Sequence, residues 1–156
     1  MKKEYIHYGC DASEFHEIPP IRNEKMFTKP QGGLWASPVD AEFGWKDWCE
    51  RENFQHTDFN KSFKFTIKDD AKILHINKAN QLDKLPQSEN TMLSRTMMTI
   101  LDFEKLQKEY DGMELHLSEE VFPKKADWNY NGLYWRLYGW NCDSILIFNE
   151  KAIQII

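Results

Sequence analysis

Hydrophobic and polar positions alternate over several short stretches of this chain, and the alternation predicts strands. Glu4 to Tyr8 is a first strand, closed by Gly9, and Leu34 to Ser37 is a second. Ser62 to Ile67 sets Phe63, Phe65 and Ile67 against polar neighbours, as in a half-buried strand. Asp69-Asp70 turns the chain into Lys72 to Ile76, Asp111-Gly112 opens Met113 to Leu117, and Ser144 to Phe148 is the strongest buried-strand signal. A turn at Asn149-Glu150 leads to a last strand, Ala152 to Ile156.

Helical spacing predicts the rest. Pro38 suits a first helical turn with Ser37 as N-cap, and Val39, Phe43, Trp45, Trp48 and Cys49 form one apolar face of a helix running to Asn53. A short helix spans Asn77 to Leu85 and stops at Pro86. Met92 to Tyr110 is helical in composition, with Asp102 able to cap a second helix after a break at Leu101. Residues 118 to 132 read as irregular, and Leu133 to Tyr138 as apolar and aromatic. Strands dominate both ends and helices the middle, which makes the chain a single α+β domain over residues 1 to 156 rather than a regular βαβ alternation.

Composition narrows the function classes. A net charge of −5, with no basic run longer than Lys124-Lys125, gives no general grip on nucleic-acid phosphates. The aromatic share is high, 14% with six Trp, which suits stacking on a planar ligand as well as core packing. The 3 cysteines, Cys10, Cys49 and Cys142, lack paired spacing and point to a reducing compartment. The first residues carry lysines but no apolar signal-peptide core, and no apolar run reaches transmembrane length. The expectation is a cytoplasmic protein with no membrane partner.

The motifs offer few common chemistries. His7, Cys10 and His16, even with Cys49 and Cys142, show none of the tight spacings of zinc sites, so no metal is expected. Ser37, Ser144 and Cys10 lack a nucleophile elbow, and neither a Walker A loop nor a Gly-x-Gly-x-x-Gly fingerprint occurs. Asp143 opens the apolar run Ser-Ile-Leu-Ile-Phe, where a carboxylate can face a cleft or merely start a strand. Asn141 shares its face if the backbone is extended. Glu114 is a rival carboxylate that alternation can equally place in solvent. Gly32-Gly33 before Leu34-Trp35-Ala36 reads either as a turn before a core strand or as backbone approaching a ligand.

The order of these segments resembles the ADP-ribosyltransferase fold, in the branch of poly-ADP-ribose polymerases and diphtheria-type toxins. The matching pieces are His7 with Gly9, then Gly33-Leu34-Trp35-Ala36 followed by a helix, then Asp143-Ser144-Ile145-Leu146-Ile147-Phe148 with Ile-Gln-Ile-Ile completing a hairpin. Together they cover about a quarter of the chain. The resemblance implies two packed, mainly antiparallel sheets around an NAD cleft with flanking helices. It also implies that His7 binds a ribose hydroxyl, that Trp35 stacks on nicotinamide in place of the family's Tyr, and that Asp143 stands for its catalytic Glu. Tyr8 and Gly9 would pair with the carboxamide, Gly33, Leu34 and Ser37 would complete the NAD pocket, and Asn141 would orient the acceptor. Tyr8 separates His7 from Gly9, where the family has the two adjacent.

The implied activity is NAD-dependent mono-ADP-ribosyl transfer to a protein or nucleic acid, in the setting of a toxin or antiphage effector with a neutralising antitoxin. Water as acceptor would make the protein an NAD glycohydrolase. A non-catalytic nucleotide-binding module and a Trp-rich partner-binding module are the alternatives from other classes.

Overall fold

A computed structural model describes residues 1–24, 29–88, 100–117, 137 and 139–156. The expectations for residues 92–99 and 118–132, and for 133–138 apart from Leu137, lie outside the described residues. The described elements are strand β1 (Glu4–Tyr8), β2 (Leu34–Pro38), helix α1 (Trp45–Arg51), β3 (Ser62–Ile67) and β4 (Ile73–Ile76), then a 3-10 helix (Ala79–Lys84), α2 (Phe103–Glu109), β5 (Gly112–Leu115), β6 (Ser144–Ile147), a single 3-10 turn (Glu150–Ala152) and β7 (Ile153–Ile155). The architecture is mixed α+β. Among the described residues no helix is long and apolar enough to cross a membrane.

The strands form one seven-stranded sheet in the order β4-β5-β6-β2-β1-β3-β7, in place of the two packed sheets expected. The reason is β2, which pairs with neighbours on both sides. Leu34, Trp35 and Ala36 lie opposite Ile147, Leu146 and Ile145 of β6, whereas Ser37 and Pro38 lie opposite Ile6 and Tyr5 of β1. All pairs are antiparallel except β4 with β5.

The sheet is strongly curled. Tyr5 on β1 and Glu114 on β5 are separated by two intervening strands, yet the Tyr5 hydroxyl donates to Glu114 Oε2 at 3.0 Å across the concave face. One apolar cluster fills that face, with Tyr5, Phe63 and Phe65 of one half meeting Leu34, Ala36, Ile145 and Ile147 of the other. The convex face carries Met113, Leu115, Leu146 and Phe148, covered by Leu82 of the 3-10 helix, Phe103 and Leu106 of α2, and Trp140. Strand β6 is therefore covered on both faces, which is why it reads as a continuous apolar run.

Two local expectations are corrected. The β7 strand does not form a hairpin with β6, because β5 and β2 already occupy both edges of β6; it pairs with β3 instead, Gln154 opposite Thr66. The first helix begins at Trp45, not after Ser37. The Val39 N–H donates to the Glu4 carbonyl at 2.9 Å, so the β1–β2 ladder claims the backbone past Pro38. Ser37 still serves the helix from a distance, its Oγ accepting from the Trp45 N–H at 2.9 Å. Asp102 caps α2 as expected, accepting from the Lys105 N–H.

The Gly32-Gly33 pair is a structural turn feeding β2. Both residues have positive φ, +77° and +72°. A Cβ on Gly32 would lie 2.1 Å from the Pro20 carbonyl oxygen, and one on Gly33 would lie 2.5 Å from Leu146 Cδ1. Backbone conformation and close packing both exclude a side chain here. Gly32→Ala is expected to lower the unfolding free energy by about 3 kcal/mol, read from urea denaturation; a loss below about 0.5 kcal/mol would show that the turn relaxes without strain.

Candidate functional site

The handover of β2 from one neighbour to the other leaves a gap. Ile6 is the last β1 residue paired with β2, so His7 and Tyr8 diverge from Trp35 and Ala36. The His7 side chain bridges the gap, with Nδ1 at 2.7 Å from the Trp35 carbonyl oxygen. A carbonyl only accepts, so Nδ1 carries the proton and Nε2 is an acceptor. Burial lowers the His7 pKa, the Trp35 bond opposes this in part, and the net direction favours the neutral ring.

A cleft of about 210 Å³ opens at this divergence. His7 and Tyr8 line it from β1, Trp35 and Ser37 from β2, and Ser144 from β6. Trp45, Lys29, Gly139 and Cys142 complete its walls. The volume falls below the roughly 300–1,000 Å³ of pockets that enclose drug-sized ligands. Packing fixes the aromatic walls. Trp35 meets the buried Trp140 edge-on at 4.7 Å between ring centroids, and Trp45 stacks on Trp48 at 5.0 Å while its indole N–H donates to Thr57 Oγ1. Lys29 places its ammonium 4.8 Å from the centre of the Trp35 ring.

The cysteine in the cleft is not poised as a nucleophile. Burial pushes the Cys142 thiol up to about 11, against the opposing effect of the Ser37 and Ser144 hydroxyls. At neutral pH it is a thiol, and the thiolate is the reactive form.

The residues expected from the sequence divide between this cleft and its surroundings. His7, Tyr8, Trp35 and Ser37 come together in it. Leu34 lies in the concave core, Gly33 packs on Leu146 and Ile21, and Gly9 turns the chain after β1 with φ +99°. Asp143 is 1% exposed and is not among the residues lining the cleft. Its N–H donates to the Phe43 carbonyl at 2.9 Å, and its charge acts on His116 and Cys142. Asn141 is half-buried just before it. Lys29, Trp45, Cys142 and Ser144 were not recognised from the sequence as walls of one site. Their common location depends on long-range pairing that no local motif records.

A second polar centre occupies the concave face. The Glu114 carboxylate, 2% exposed, receives hydrogen bonds from Lys3 Nζ at 2.6 Å, the Tyr5 hydroxyl at 3.0 Å and His116 Nε2 at 2.7 Å. His75 Nδ1 lies 3.1 Å away from β4. The solvent-facing alternative for Glu114 is thus overturned: the curl brings β1 over β5 and encloses it. The repeated polar phase at His75, Glu114 and His116, set in apolar strands, is the signal that marks the centre. Burial alone would raise the Glu114 pKa, but the bonds from His116, Lys3 and Tyr5 and the charge of Lys3 outweigh it and hold the pKa at about 2. The His116 pKa is raised, chiefly by its bond to Glu114. The Tyr5 hydroxyl is held protonated by burial and by that carboxylate. Among the described residues no group of three His, Cys, Asp or Glu side chains is arranged to hold a metal ion.

Linkage fixes the pH signature of this centre. The stability Glu114 contributes is complete above its unfolded value of 4.5 and is lost as pH falls toward about 2. The His116 contribution is complete below 6.5 and is lost as pH rises through its raised folded value. Glu114→Gln is therefore expected to cost about 2 kcal/mol, allowing for the partial exposure of Lys3, with the gap to wild type widest between pH 4.5 and 6.5. Urea denaturation across pH tests this, and a gap that stays constant from pH 2 to 9 would overturn it.

Comparison of the chain with protein-family models, with curated proteins and with solved structures gives no match, so its functional reading rests on the geometry of the cleft.

Proposed function

We propose that the cleft binds the nicotinamide–ribose end of NAD and that the protein is an NAD-dependent ADP-ribosyltransferase. The observation that carries this reading is the His7–Trp35 bond, which joins two residues far apart in sequence at the mouth of a cleft with indole walls. A neutral His7 with an acceptor Nε2 suits a ribose hydroxyl. The Trp35 and Trp45 rings suit a flat heteroaromatic ring. In transfer, the bond between ribose C1 and the nicotinamide nitrogen breaks and nicotinamide leaves with the electron pair. The acceptor nucleophile forms the new bond to C1 and releases its proton. Positive charge develops on the sugar, as in glycoside cleavage, and a nearby carboxylate lowers that barrier. In this reading Asp143 supplies the carboxylate and Asn141 faces the acceptor, which is a protein or a nucleic acid, or water in the case of NAD hydrolysis.

One observation favours a second reading. Among the described residues no carboxylate lines the cleft, and Asp143 is buried outside its walls. In this second reading the protein is a nucleotide-binding module without turnover.

Titration calorimetry with NAD, together with chromatography of released nicotinamide, separates the readings. The transferase reading expects nicotinamide release that falls about 100-fold or more in Asp143→Asn, while Trp35→Ala weakens binding. Binding without release, in wild type and variant alike, selects the module. Absence of any NAD binding overturns both.

A further inference from the structure

We propose that Lys29 is an anion-binding residue of the cleft, so that the site takes a phosphate-bearing nucleotide in preference to the corresponding nucleoside. The inference rests on the reading of the cleft as a site for a ribosylated ring, and it adds the chemical class of ligand that the site selects.

Three observations carry it. The first is charge. The chain has 25 acidic residues against 20 basic ones, yet among the described residues no carboxylate lines the cleft and Lys29 is the one lysine or arginine that does. None of the ion pairs formed among the described residues involves Lys29. Its ammonium rests on the Trp35 ring face, 4.8 Å from the centroid.

The second is that the position is built. The lysine stem runs against Gly139, whose φ is +95°. A Cβ on Gly139 would lie 2.9 Å from Lys29 Cδ and 3.0 Å from Lys29 Cβ. The chain thus has no side chain where the stem must pass, and the ammonium is directed to Trp35 rather than left to sweep through solvent.

The third is desolvation. Burial lowers the pKa of the ammonium, the interaction with Cys142 opposes this in part, and no carboxylate among the described residues adds to that opposition. A cation held in a partly dry cleft without a counter-ion is costly unless an anion arrives. A phosphate would provide that anion, and a charge-assisted bond to it is stronger than a neutral one. The Ser37 hydroxyl, whose oxygen accepts from the Trp45 N–H, lines the same cleft, while the Ser144 hydroxyl donates to the Cys142 carbonyl.

The test uses the full chain and two ligands that differ only by a 5′-phosphate, nicotinamide riboside and nicotinamide mononucleotide, titrated into wild type, Lys29→Ala and Lys29→Arg. Wild type is expected to bind the mononucleotide at least tenfold more tightly. Lys29→Ala should reduce that preference to within about twofold, and Lys29→Arg should retain most of it. Equal binding of the two ligands by wild type, or a preference that survives in Lys29→Ala, would overturn the role of Lys29 while leaving the NAD reading intact. Inorganic pyrophosphate, followed by tryptophan fluorescence, serves as a probe without nicotinamide. A response that Lys29→Ala abolishes upholds the anion site even if neither nicotinamide ligand binds, in which case the NAD reading fails alone. Silence with every probe overturns both.

Discussion

A five-residue strand with two masters governs this molecule. Strand β2 gives its first three residues to β6 and its last two to β1. This joint turns two groups of strands into one continuous sheet. It also leaves the far end of β1 unpaired with β2, because a backbone edge cannot complete a ladder with a strand that has turned away. His7 satisfies the Trp35 carbonyl with a side chain in place of a backbone N–H, as an otherwise unpaired carbonyl requires. The cleft is the space that remains.

The two faces of the curled sheet handle polarity in opposite ways. On the concave face a buried carboxylate is surrounded by a lysine, a tyrosine and two histidines, so the charge is compensated within the fold. In the cleft a lysine faces aromatic rings and hydroxyls, with no carboxylate among the described residues of the walls. A compensated buried charge serves the fold, whereas an uncompensated one is a binding preference held in reserve. The contrast separates Glu114, a structural group, from Lys29, a group oriented toward a ligand.

Much of the secondary structure was legible because alternation and caps are local. The strands at Glu4–Tyr8, Ser62–Ile67 and Ser144–Ile147 follow from apolar spacing, and the start of α2 follows from Asp102. Partner choice was not local. Nothing in Ile-Gln-Ile-Ile indicates that β6 has no edge left to offer, and nothing around Val39 indicates that the ladder with β1 overrides a Ser-Pro helix start. For the cleft, the sequence supplied His7, Tyr8, Trp35 and Ser37 because they lie on two short segments with distinctive chemistry. Lys29, Trp45, Cys142 and Ser144 were hidden because each has an ordinary local role, as a loop lysine, a helix-face aromatic, a small core thiol and the first residue of a strand. Glu114 stayed open between a cleft and solvent because alternation describes which face a residue takes, not whether that face later curls closed.

The double allegiance of β2 also orders events in time. Leu34 finds its partner Ile147 only after nearly all of the intervening chain has been traversed, and Tyr5 meets Glu114 across a comparable span. Pairings of such high contact order are entropically expensive to initiate and slow to form. The β1–β3 antiparallel pair joins much closer segments and is available earlier. The walls of the cleft come from β1, β2 and β6 together, so both pairings of β2 must be in place for Trp35 to line it. The cleft is thus a property of the finished sheet, and no single strand or hairpin of this chain carries it.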